Sequence, residues 1–474
     1  MSAPLSADVL VVGAGAAGAI AALAAREAGA SVIAARRAWG ATALSSGAAD
    51  VAPDPLSSPG SPLGGRASVE ACARSLALRR PEHPYAMLRE RLGALGEALR
   101  FASRATGGLL AFGDPGEENR VLLSPFGALK QSAGGLRSIL DGDLLRVRGT
   151  VGVVGFDRPG LELDARDLAA AAEETCSLAG LRLRAVPIEC DLLRWSDLPL
   201  LRRHEVAERI EADPEALATS ILRALPAEPF ALLLLPPVIA RGDPEPVLRI
   251  LEERLGVRCA ELPAGARSVP GLRLQEGLER RLSEAGVRLV EGEVFLEGGD
   301  DAPSLVERPR RDWADRLRLS SSREARGDAE AVVVRACVLA AGKFIGGGVE
   351  RHGRMREPIF DLPVWVEGAV DEGRWVGDST RPAWLERQAA MAAGLRVDGS
   401  LRPLLRDGAP FDDRVFACGA ILAGNDPAAD GAGIGLAVFS GYLAGREAAA
   451  RARASERGAF GTAAEAADAG AGAP

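Results

Sequence analysis

The sequence predicts an α/β fold, and three glycine turns that follow apolar strands carry that prediction. Residues 9–12 of "DVLVVGAGAAG" are apolar and partly β-branched, and they lead into Gly13, Gly15 and Gly18. The same order of strand and glycine turn recurs in "AVVVRACVLAAGKFIGGG" and in "RVFACGAILAGNDPAADGAGIG". Between the first two turns, short apolar runs alternate with helical patterns, which is typical of parallel sheets.

The N-terminal segment predicts a strand, a turn, a helix and a second strand. An alanine-rich helix is expected from Ala16 to Ala28, Gly29 is suited to end it, and Ser31–Ala35 is the next strand. In a G-x-G-x-x-G turn the glycines permit a tight bend, a close approach of phosphate to the backbone, and close helix packing. The helix dipole and the exposed N–H groups favour an anion, so a nucleotide is the predicted ligand.

Arg36 stands where a dinucleotide-binding strand normally ends in Asp or Glu, whose carboxylate binds a ribose. Two interpretations remain open. Arg36 accepts the 2′-phosphate of NADP, or the site has lost its hold on an adenosine ribose and Arg36 faces solvent. The second is the simpler, because the chain has two lysines, Lys130 and Lys343, and nearly all its cationic side chains are arginine.

The middle of the chain predicts a separate α/β unit. Val151–Val154, Leu181–Pro187 and Ala231–Leu235 are typical of buried strands, and Leu168–Leu178 and Pro246–Leu255 are typical of helices. Strands and helices that alternate in this way form a layered sheet of their own, so this stretch is predicted to be an insertion rather than a continuation of the first unit.

The C-terminal strand, loop and helix indicate a flavin rather than a nicotinamide. Val415–Cys418 is the expected strand, and "DGAGIGLAVFSG" leads into an apolar helix that begins near Gly433. A helix N-terminus aimed at the flavin pyrimidine ring stabilises the negative charge near N1 of the reduced flavin. A nicotinamide enzyme with one dinucleotide unit needs no such returning strand and helix.

The predicted cofactor-binding residues lie in these turns and in the serine-rich loop after the second strand. In that loop, small residues let the backbone pass close to a flat ring, and hydroxyls are available for the polar edge of the ring or for a phosphate. The predicted set is Gly13, Gly15, Ala16, Ala17, Gly18, Arg36, Ser45, Ser46, Gly47, Ala341, Gly342, Gly419, Asp430, Gly431, Gly433 and Ile434.

Together these elements predict a discontinuous, Rossmann-like flavin-binding domain with an inserted α/β domain. A run rich in Pro, Gly and Ser at 53–65 indicates a lobe boundary or a mobile loop. The predicted segments are 1–52, 265–348 and 409–451 for the flavin-binding domain, 53–264 for the inserted domain, 349–408 for a substrate or cap segment, and 452–474 for a disordered tail.

Composition bounds the function. The net charge of −8 and the pI near 5.3 argue against nucleic acid as a partner. The six cysteines are scattered singly without a CxxC pair, so no metal or iron–sulfur site is expected within this chain. Scattered cysteines without a basic signal region predict reduced thiols in a cytoplasmic protein. The apolar run "FALLLLPPVIA" is too short to span a bilayer.

Several quoted stretches, taken in order, resemble the B subunits of anaerobic glycerol-3-phosphate dehydrogenase. They are GAGAAG, "SSGAADV", "HPYAML", "LAAGKFIGGG", "REPIFDLPV" and "FACGAILAGNDPAADGAGIG". The stretches span most of the chain, although residues 90–260 match loosely and the tail after 452 does not match. These B subunits are flavoproteins related to FAD-dependent dehydrogenases and fumarate reductases, so the resemblance implies that fold.

The resemblance implies a flavoprotein subunit of a three-part enzyme that oxidises glycerol 3-phosphate to dihydroxyacetone phosphate and passes electrons towards quinone. It implies a sister catalytic flavoprotein subunit and an iron–sulfur subunit that meets the membrane, and hence a cytoplasmic chain attached peripherally to the inner face of the membrane. It also implies FAD or FMN as cofactor. Because no histidine lies in the loop after the second strand, where related enzymes attach flavin covalently, the flavin is expected to be non-covalent.

The catalytic residues stay open, with His352, Arg356 and Lys343 as candidates. His352 and Arg356 lie in an arginine-rich stretch that is either a base with a phosphate clamp or a loop of solvated charges. Lys343 either approaches the cofactor or is a solvated turn residue. Two other functions also stay open, namely a stand-alone NADPH-dependent flavin or small-molecule reductase, and a non-catalytic electron-transfer or scaffold subunit.

Overall fold

The computed structural model describes residues 4–54, 67–156, 164–191, 202–298, 313–321, 326–383 and 386–470. The chain divides into two compact units. Unit 1 contains Met1–Ala41, Leu76–Ala105 and Leu278–Pro474, and unit 2 contains Thr42–Ser75 and Thr106–Gly277.

The chain forms twenty strands and fourteen α-helices in the described residues. The strands are β1 (Leu5–Val12), β2 (Val32–Arg36), β3 (Ala48–Ala49), β4 (Ala111–Phe112), β5 (Arg120–Leu123), β6 (Leu129–Ser132), β7 (Gly134–Gly135), β8 (Thr150–Phe156), β9 (Arg184–Cys190), β10 (Leu232–Leu235), β11 (Cys259–Glu261), β12 (Arg288–Glu291), β13 (Glu293–Leu296), β14 (Leu317–Ser320), β15 (Glu330–Leu339), β16 (Glu350–His352), β17 (Arg354–Arg356), β18 (Trp365–Val366), β19 (Ala369–Val370) and β20 (Val415–Ala417). The helices are α1 (Ala16–Glu27), α2 (Val69–Arg79), α3 (Pro84–Met87), α4 (Leu95–Ala105), α5 (Arg137–Leu140), α6 (Ala165–Leu178), α7 (Arg203–Ala212), α8 (Pro214–Ala224), α9 (Glu245–Leu255), α10 (Val269–Glu284), α11 (Trp313–Arg316), α12 (Ala389–Ala392), α13 (Pro427–Asp430) and α14 (Ile434–Gly470).

Unit 1 is built on a seven-stranded sheet with the order β12-β2-β1-β15-β14-β13, in which β20 also pairs with β15. Strands β12, β2, β1, β15 and β20 are parallel to their neighbours, whereas β13 and β14 join in antiparallel fashion. The carboxyl ends of β2, β1, β15 and β20 therefore lie at one edge of the sheet, where open α/β sheets bind their ligands.

Helix α1 is the central helix of unit 1, because it is buried continuously from Ala16 to Ala25. Helix α14 packs directly on it. A Cβ added at Gly441 or Gly445 of α14 would collide with the carbonyl oxygens of Ala17 and Ala21 in α1. Glycine at these two positions lets the helix backbones touch, and this contact fixes where α14 begins relative to α1.

Unit 2 contains a second, wholly parallel sheet with the order β11-β10-β8-β9. One face of this sheet packs against α6 through residues such as Leu168, Ala172 and Cys176. The other face packs against α7, α8 and α9 through residues such as Ile210 and Leu251. Helices on both faces of a parallel sheet confirm the predicted α/β class, and the strands expected at residues 151–154 and 231–235 are present.

The two units divide the chain differently from the predicted segments. Unit 2 begins at Thr42 rather than residue 53 and excludes Leu76–Ala105. Helices α2 and α10 each continue from one unit into the other, so the limits of the units fall within helices rather than in loops. Of the run 53–65, residues 55–65 lie outside the described residues, and the six predicted segments stay a prediction.

The last helix, α14, extends from Ile434 to Gly470. Its C-terminal part is rich in alanine, the strongest helix former, and contains no proline before Gly470. The disordered tail at 452–474 stays a prediction. Residues 471–474 lie outside the described residues.

All six cysteines are free and buried. Burial raises the pKa of Cys190 and of Cys259 to about 12, so these thiols stay protonated at neutral pH. They behave as small apolar side chains rather than as nucleophiles.

Candidate functional site

Three of the predicted glycine turns come together in unit 1. They follow β1, β15 and β20, which are neighbours in the order β1-β15-β20. Backbone hydrogen bonds continue past the strands, from Ala340 N to Val12 O at 2.8 Å and from Cys418 N to Leu339 O at 3.0 Å. A Cβ at Gly13 would lie 2.8 Å from Ala341 N, so the first two turns touch through their backbones.

The first turn is shaped to accept a phosphate. Gly13 has φ +110°, which favours glycine, and a Cβ at Gly18 would collide with the carbonyl oxygen of Gly13. Gly15 is the N-cap residue of α1, with φ −74° and ψ −173°, and it supplies no side-chain cap. The first turn of α1 contains no acidic residue. The positive end of a buried helix therefore points out of the turn without a carboxylate of its own to neutralise it.

Open space lies beside two of the other predicted residues. A Cβ built at Gly342, which has φ +73°, or at Gly433 meets no atom within 4 Å in the part of the chain that the structure describes. By contrast, Gly419 has φ +78° and is packed against Ala17, and its N–H donates to Ser440 Oγ at 2.9 Å. The edge of the sheet formed by the carboxyl ends of its parallel strands is thus tightly packed near β20, and it is open at the start of α14, next to Ile434.

The loop that precedes α14 is held by a buried polar network. His83 Nδ1 accepts from Tyr85 N at 3.1 Å, which leaves Nε2 to donate to Asn425 Oδ1 at 3.2 Å. Asn425 Nδ2 donates to Ala432 O at 3.0 Å, across the loop. Burial lowers the pKa of His83 to about 4, so the imidazole is neutral at neutral pH and keeps this tautomer.

Lys343 belongs to the same network. Its Nζ donates to Asn425 O at 2.7 Å and also to Met391 O. The pKa of Lys343 is lowered to about 7, mainly by burial and to a smaller extent by the charge of Arg387, whereas the charges of Asp426 and Asp430 act in the opposite direction. Lys343 therefore lies at the glycine turn after β15 with an ammonium group that loses its proton near neutral pH. Of the two interpretations open from the sequence, the solvated turn residue is the poorer description.

Asp430, one of the predicted cofactor-binding residues, makes several contacts within the loop before α14. Its carboxylate forms an ion pair with Arg387, accepts from Asp426 N at 2.8 Å, and lies 3.8 Å from Arg80 Nε. Gly431 follows with φ +57° and ends α13. These contacts give Asp430 a part in shaping the loop, and its predicted contact with a cofactor stays a prediction.

The serine-rich loop lies in unit 2. Ser46 O accepts from Ala264 N at 2.9 Å, and Gly47 has φ +84°. A Cβ at Gly271 would lie 2.7 Å from Ser45 O, so this loop is packed against the start of α10. Ser45 Oγ is buried and has no hydrogen-bond partner in the described residues. An orphaned hydroxyl of this kind fits a site whose ligand supplies the missing bond.

Arg36 does not face solvent as the simpler interpretation expected. Its Nε lies 3.0 Å from Glu279 Oε1 and its Nη2 lies 3.5 Å from Glu291 Oε2, and its side chain is 18% exposed. Two carboxylates beside Arg36 also oppose the phosphate of NADP, because they neutralise the guanidinium and repel a second anion. The sequence does not reveal this ion pair, because Glu279 is far from Arg36 along the chain and is one of several charged residues in helix α10.

The arginine-rich stretch forms a hairpin of β16 and β17. Cross-strand pairs Glu350–Arg356 and His352–Arg354 place these four residues on one face. His352 is 57% exposed and its Nε2 lies 3.4 Å from Glu350 Oε2. Arg356 Nη1 lies 3.8 Å from Asp361 Oδ1, and Arg356 Nε is buried without a hydrogen-bond partner in the described residues. The face combines an imidazole with guanidinium groups, so both interpretations of this stretch stay open.

Residues 8–182 and 215–436 match the family model described as "FAD binding domain". This chain belongs to that family. FAD is therefore its cofactor, of the two flavins open from the sequence, and the chain is a flavin-dependent oxidoreductase.

The curated relatives confirm the resemblance to the B subunits. The chain is 26% identical to the B subunit of the anaerobic glycerol-3-phosphate dehydrogenase of Vibrio vulnificus, over 93% of this chain and 95% of that protein. It is 31% identical to the probable B subunit of Halobacterium salinarum, over 45% of this chain. That second match spans about half of the relative, 46% of its length. Among solved structures, the 3-ketosteroid delta1-dehydrogenase of Sterolibacterium denitrificans aligns over 94% of this chain and 99% of that chain, with 12% identity and a TM-score of 0.40.

The residues of unit 1 fit FAD. The turn at Gly13–Gly18 suits the pyrophosphate, and the open start of α14 near Gly433 and Ile434 suits the pyrimidine end of the flavin. The sequence did not single out His83, Asn425 or Glu279. Among the described residues, no helix has both the length and the apolar character to cross a bilayer, and no group of His, Cys, Asp and Glu is arranged to hold a metal ion.

Proposed function

We propose that this chain is the flavoprotein B subunit of an anaerobic-type glycerol-3-phosphate dehydrogenase. The observation that carries the proposal is the match to the B subunit of Vibrio vulnificus, which spans 93% of this chain and 95% of that protein. The enzyme oxidises glycerol 3-phosphate to dihydroxyacetone phosphate and passes electrons towards quinone. FAD supplies the acceptor for the hydride that leaves C2 of the substrate.

The chain's own residues bind the cofactor, orient it and handle a proton. The turn at Gly13–Gly18 holds the pyrophosphate with backbone N–H groups and the α1 dipole. The N-terminus of α14 supplies partial positive charge to the flavin ring, and Lys343 holds the neighbouring loop. With a pKa of about 7, Lys343 is also able to take up or release a proton near neutral pH.

The hairpin of β16 and β17 is the proposed place for the substrate phosphate. Glycerol 3-phosphate carries a dianion, and guanidinium groups bind phosphate through paired, charge-assisted hydrogen bonds. Arg356 has the buried Nε without a partner in the described part of the chain, and His352 stands on the same face as a proton acceptor for the C2 hydroxyl. These roles are part of the proposal.

The proposed partners are a sister catalytic flavoprotein subunit and an iron–sulfur subunit. The relatives are named as one subunit of a larger enzyme, which supports the need for partners. With such partners, the chain is cytoplasmic and peripheral on the inner face of the cell membrane. The alternative of a stand-alone NADPH-dependent reductase is disfavoured by the two carboxylates that flank Arg36.

The test is anaerobic mixing of glycerol 3-phosphate with the purified complex and, separately, with the purified chain, while the flavin absorbance is followed. We expect the flavin of the complex to be bleached. Bleaching of the isolated chain identifies this chain as catalytic, whereas bleaching that requires the sister subunit identifies it as an electron-transfer subunit. A fully FAD-loaded complex that stays oxidised in excess glycerol 3-phosphate contradicts the proposed function.

A further inference from the structure

The carboxyl end of β2 lacks the acidic residue that usually grips the adenosine ribose of FAD. Arg36 occupies that position, and Arg37 and Ala38 follow it. A guanidinium has no acceptor atom, so Arg36 itself offers nothing to the 2′- and 3′-hydroxyl groups of a ribose. An FAD-binding chain with this sequence needs the acceptor from elsewhere, or binds FAD without it.

Helix α10 brings a carboxylate to this position. It leads into β12, which pairs with β2 in parallel with Glu291 opposite Arg36. Glu279 of α10 lies with its Oε1 3.0 Å from Arg36 Nε, and the same oxygen accepts from Trp39 Nε1 at 2.8 Å. The Glu279 side chain is 15% exposed. The carboxylate thus lies beside the last residue of β2, although it is 240 residues away from Trp39 in the chain.

The charge at this point suits hydroxyl groups rather than a phosphate. Arg36, Glu279 and Glu291 together carry one net negative charge. Glu291 is 71% exposed, so water screens it, whereas Glu279 is mostly buried. Arg36 and Trp39 each place a side-chain nitrogen close to Oε1 of Glu279, which fixes the orientation of the carboxylate.

We propose that Glu279 replaces the missing acid of β2 and accepts hydrogen bonds from the ribose hydroxyls of FAD. Arg36 and Trp39 are positioning residues that hold its carboxylate at the end of β2. The chain therefore discriminates FAD from FMN, because FMN has no adenosine ribose. This proposal rests on FAD binding alone and is independent of which substrate the enzyme oxidises.

The experiment measures, by isothermal titration calorimetry, the affinity of the flavin-free protein for FAD, for FMN and for ADP. The variant is Glu279→Gln, and the matched control is Glu291→Gln, which removes the other carboxylate beside Arg36. We expect Glu279→Gln to lower the affinity for FAD and for ADP by about tenfold, which is the effect of losing one charge-assisted hydrogen bond. The affinity for FMN should not change. Glu291→Gln is expected to bind all three ligands as the wild type does.

Unchanged FMN affinity also shows that the variant has kept its fold. Glu279→Gln with wild-type affinity for FAD and ADP overturns the proposal. So does an equal loss of FAD and FMN, which would place the effect at the phosphate turn or in the fold rather than at the ribose. Neither outcome bears on the oxidation of glycerol 3-phosphate, so a failure here is distinct from a failure of the proposed function.

Discussion

Helices α1 and α14 both begin at the edge of the seven-stranded sheet, and their N-termini are fixed in different ways. The turn before α1 is built by backbone alone, since glycines at positions 13 and 18 permit contacts that a Cβ would block. The loop before α14 is instead held by side chains from distant segments, with His83, Lys343 and Arg387 bonded to it. The first site is thus fixed by close packing of backbone atoms, most of them nearby in sequence, whereas the second depends on buried polar side chains and on their protonation.

This difference has a consequence for how each site fails. A side chain added to the turn before α1 fills the ligand space directly. Loss of a hydrogen-bond partner in the loop before α14 leaves buried polar groups unsatisfied. We expect this to lower the free energy of unfolding more than it lowers the affinity for the cofactor. Substitutions at the two places are therefore expected to separate cofactor loss from destabilisation.

The largest effect is expected for Gly15→Val. Gly15 has φ −74° and ψ −173°, an extended conformation that valine adopts, so the fold should survive. The valine side chain would fill the space where the pyrophosphate approaches the backbone, and we expect flavin affinity to fall by about a hundredfold or more. The measurement is the flavin content of the purified variant, with circular dichroism as the test of folding.

The control is Gly29→Ala. Gly29 has φ +89° at the end of α1, where an added Cβ meets no atom within 4 Å in the described residues. This control should lose some stability through backbone strain and keep its flavin. Full flavin occupancy in Gly15→Val would show that the turn before α1 does not hold the phosphate.

The second effect concerns pH and the loop before α14. Burial lowers the pKa of His83 from 6.5 to about 4, so the unfolded chain takes up a proton in this window and the native chain does not. The contribution of His83 to stability should therefore be full above pH 6.5 and fall by about 3 kcal/mol as pH drops to 4. In His83→Gln this part of the pH dependence should vanish, which urea unfolding at several pH values measures.

The matched control is His352→Gln, because His352 is exposed on the hairpin of β16 and β17. It should retain the wild-type slope. Glu357 contributes with the opposite sign, since burial raises its pKa to about 7 and its stabilising proton is lost as pH rises. Glu357 is present in the wild type, in His83→Gln and in His352→Gln. A difference in pH dependence between His83→Gln and the other two proteins therefore reports on His83. Equal slopes in the wild type and His83→Gln would mean that His83 is not buried in its neutral form.

The smallest effect is expected for Trp39→Phe. Phenylalanine keeps most of the ring but removes the indole N–H that Glu279 Oε1 accepts at 2.8 Å. Because this bond orients the carboxylate at the end of β2, we expect FAD affinity to fall about threefold relative to FMN affinity. The ratio of the two affinities is the measurement, since a general loosening of the fold would lower both alike.

The sequence predicted the parts of unit 1 that depend on neighbouring residues. Strand β1, helix α1 and the turn of Gly13, Gly15 and Gly18 follow from one short motif, and the glycine turns after β15 and β20 follow from similar ones. The side-chain partners could not be predicted, because Glu279 meets Arg36 and Arg387 meets Asp430 only after the sheet has formed. Arg36 was for this reason expected to face solvent, which is wrong.

The most direct test is the release of the cofactor from the purified chain by acid precipitation, followed by mass spectrometry of the supernatant. The glycine turn and the family membership predict that all the yellow colour leaves the protein and that the released compound has the mass of FAD. Colour that remains in the pellet would contradict the prediction of a non-covalent flavin. A supernatant that contains FMN and no FAD would contradict both the assignment of FAD as the cofactor and the proposed role of Glu279 in binding its ribose.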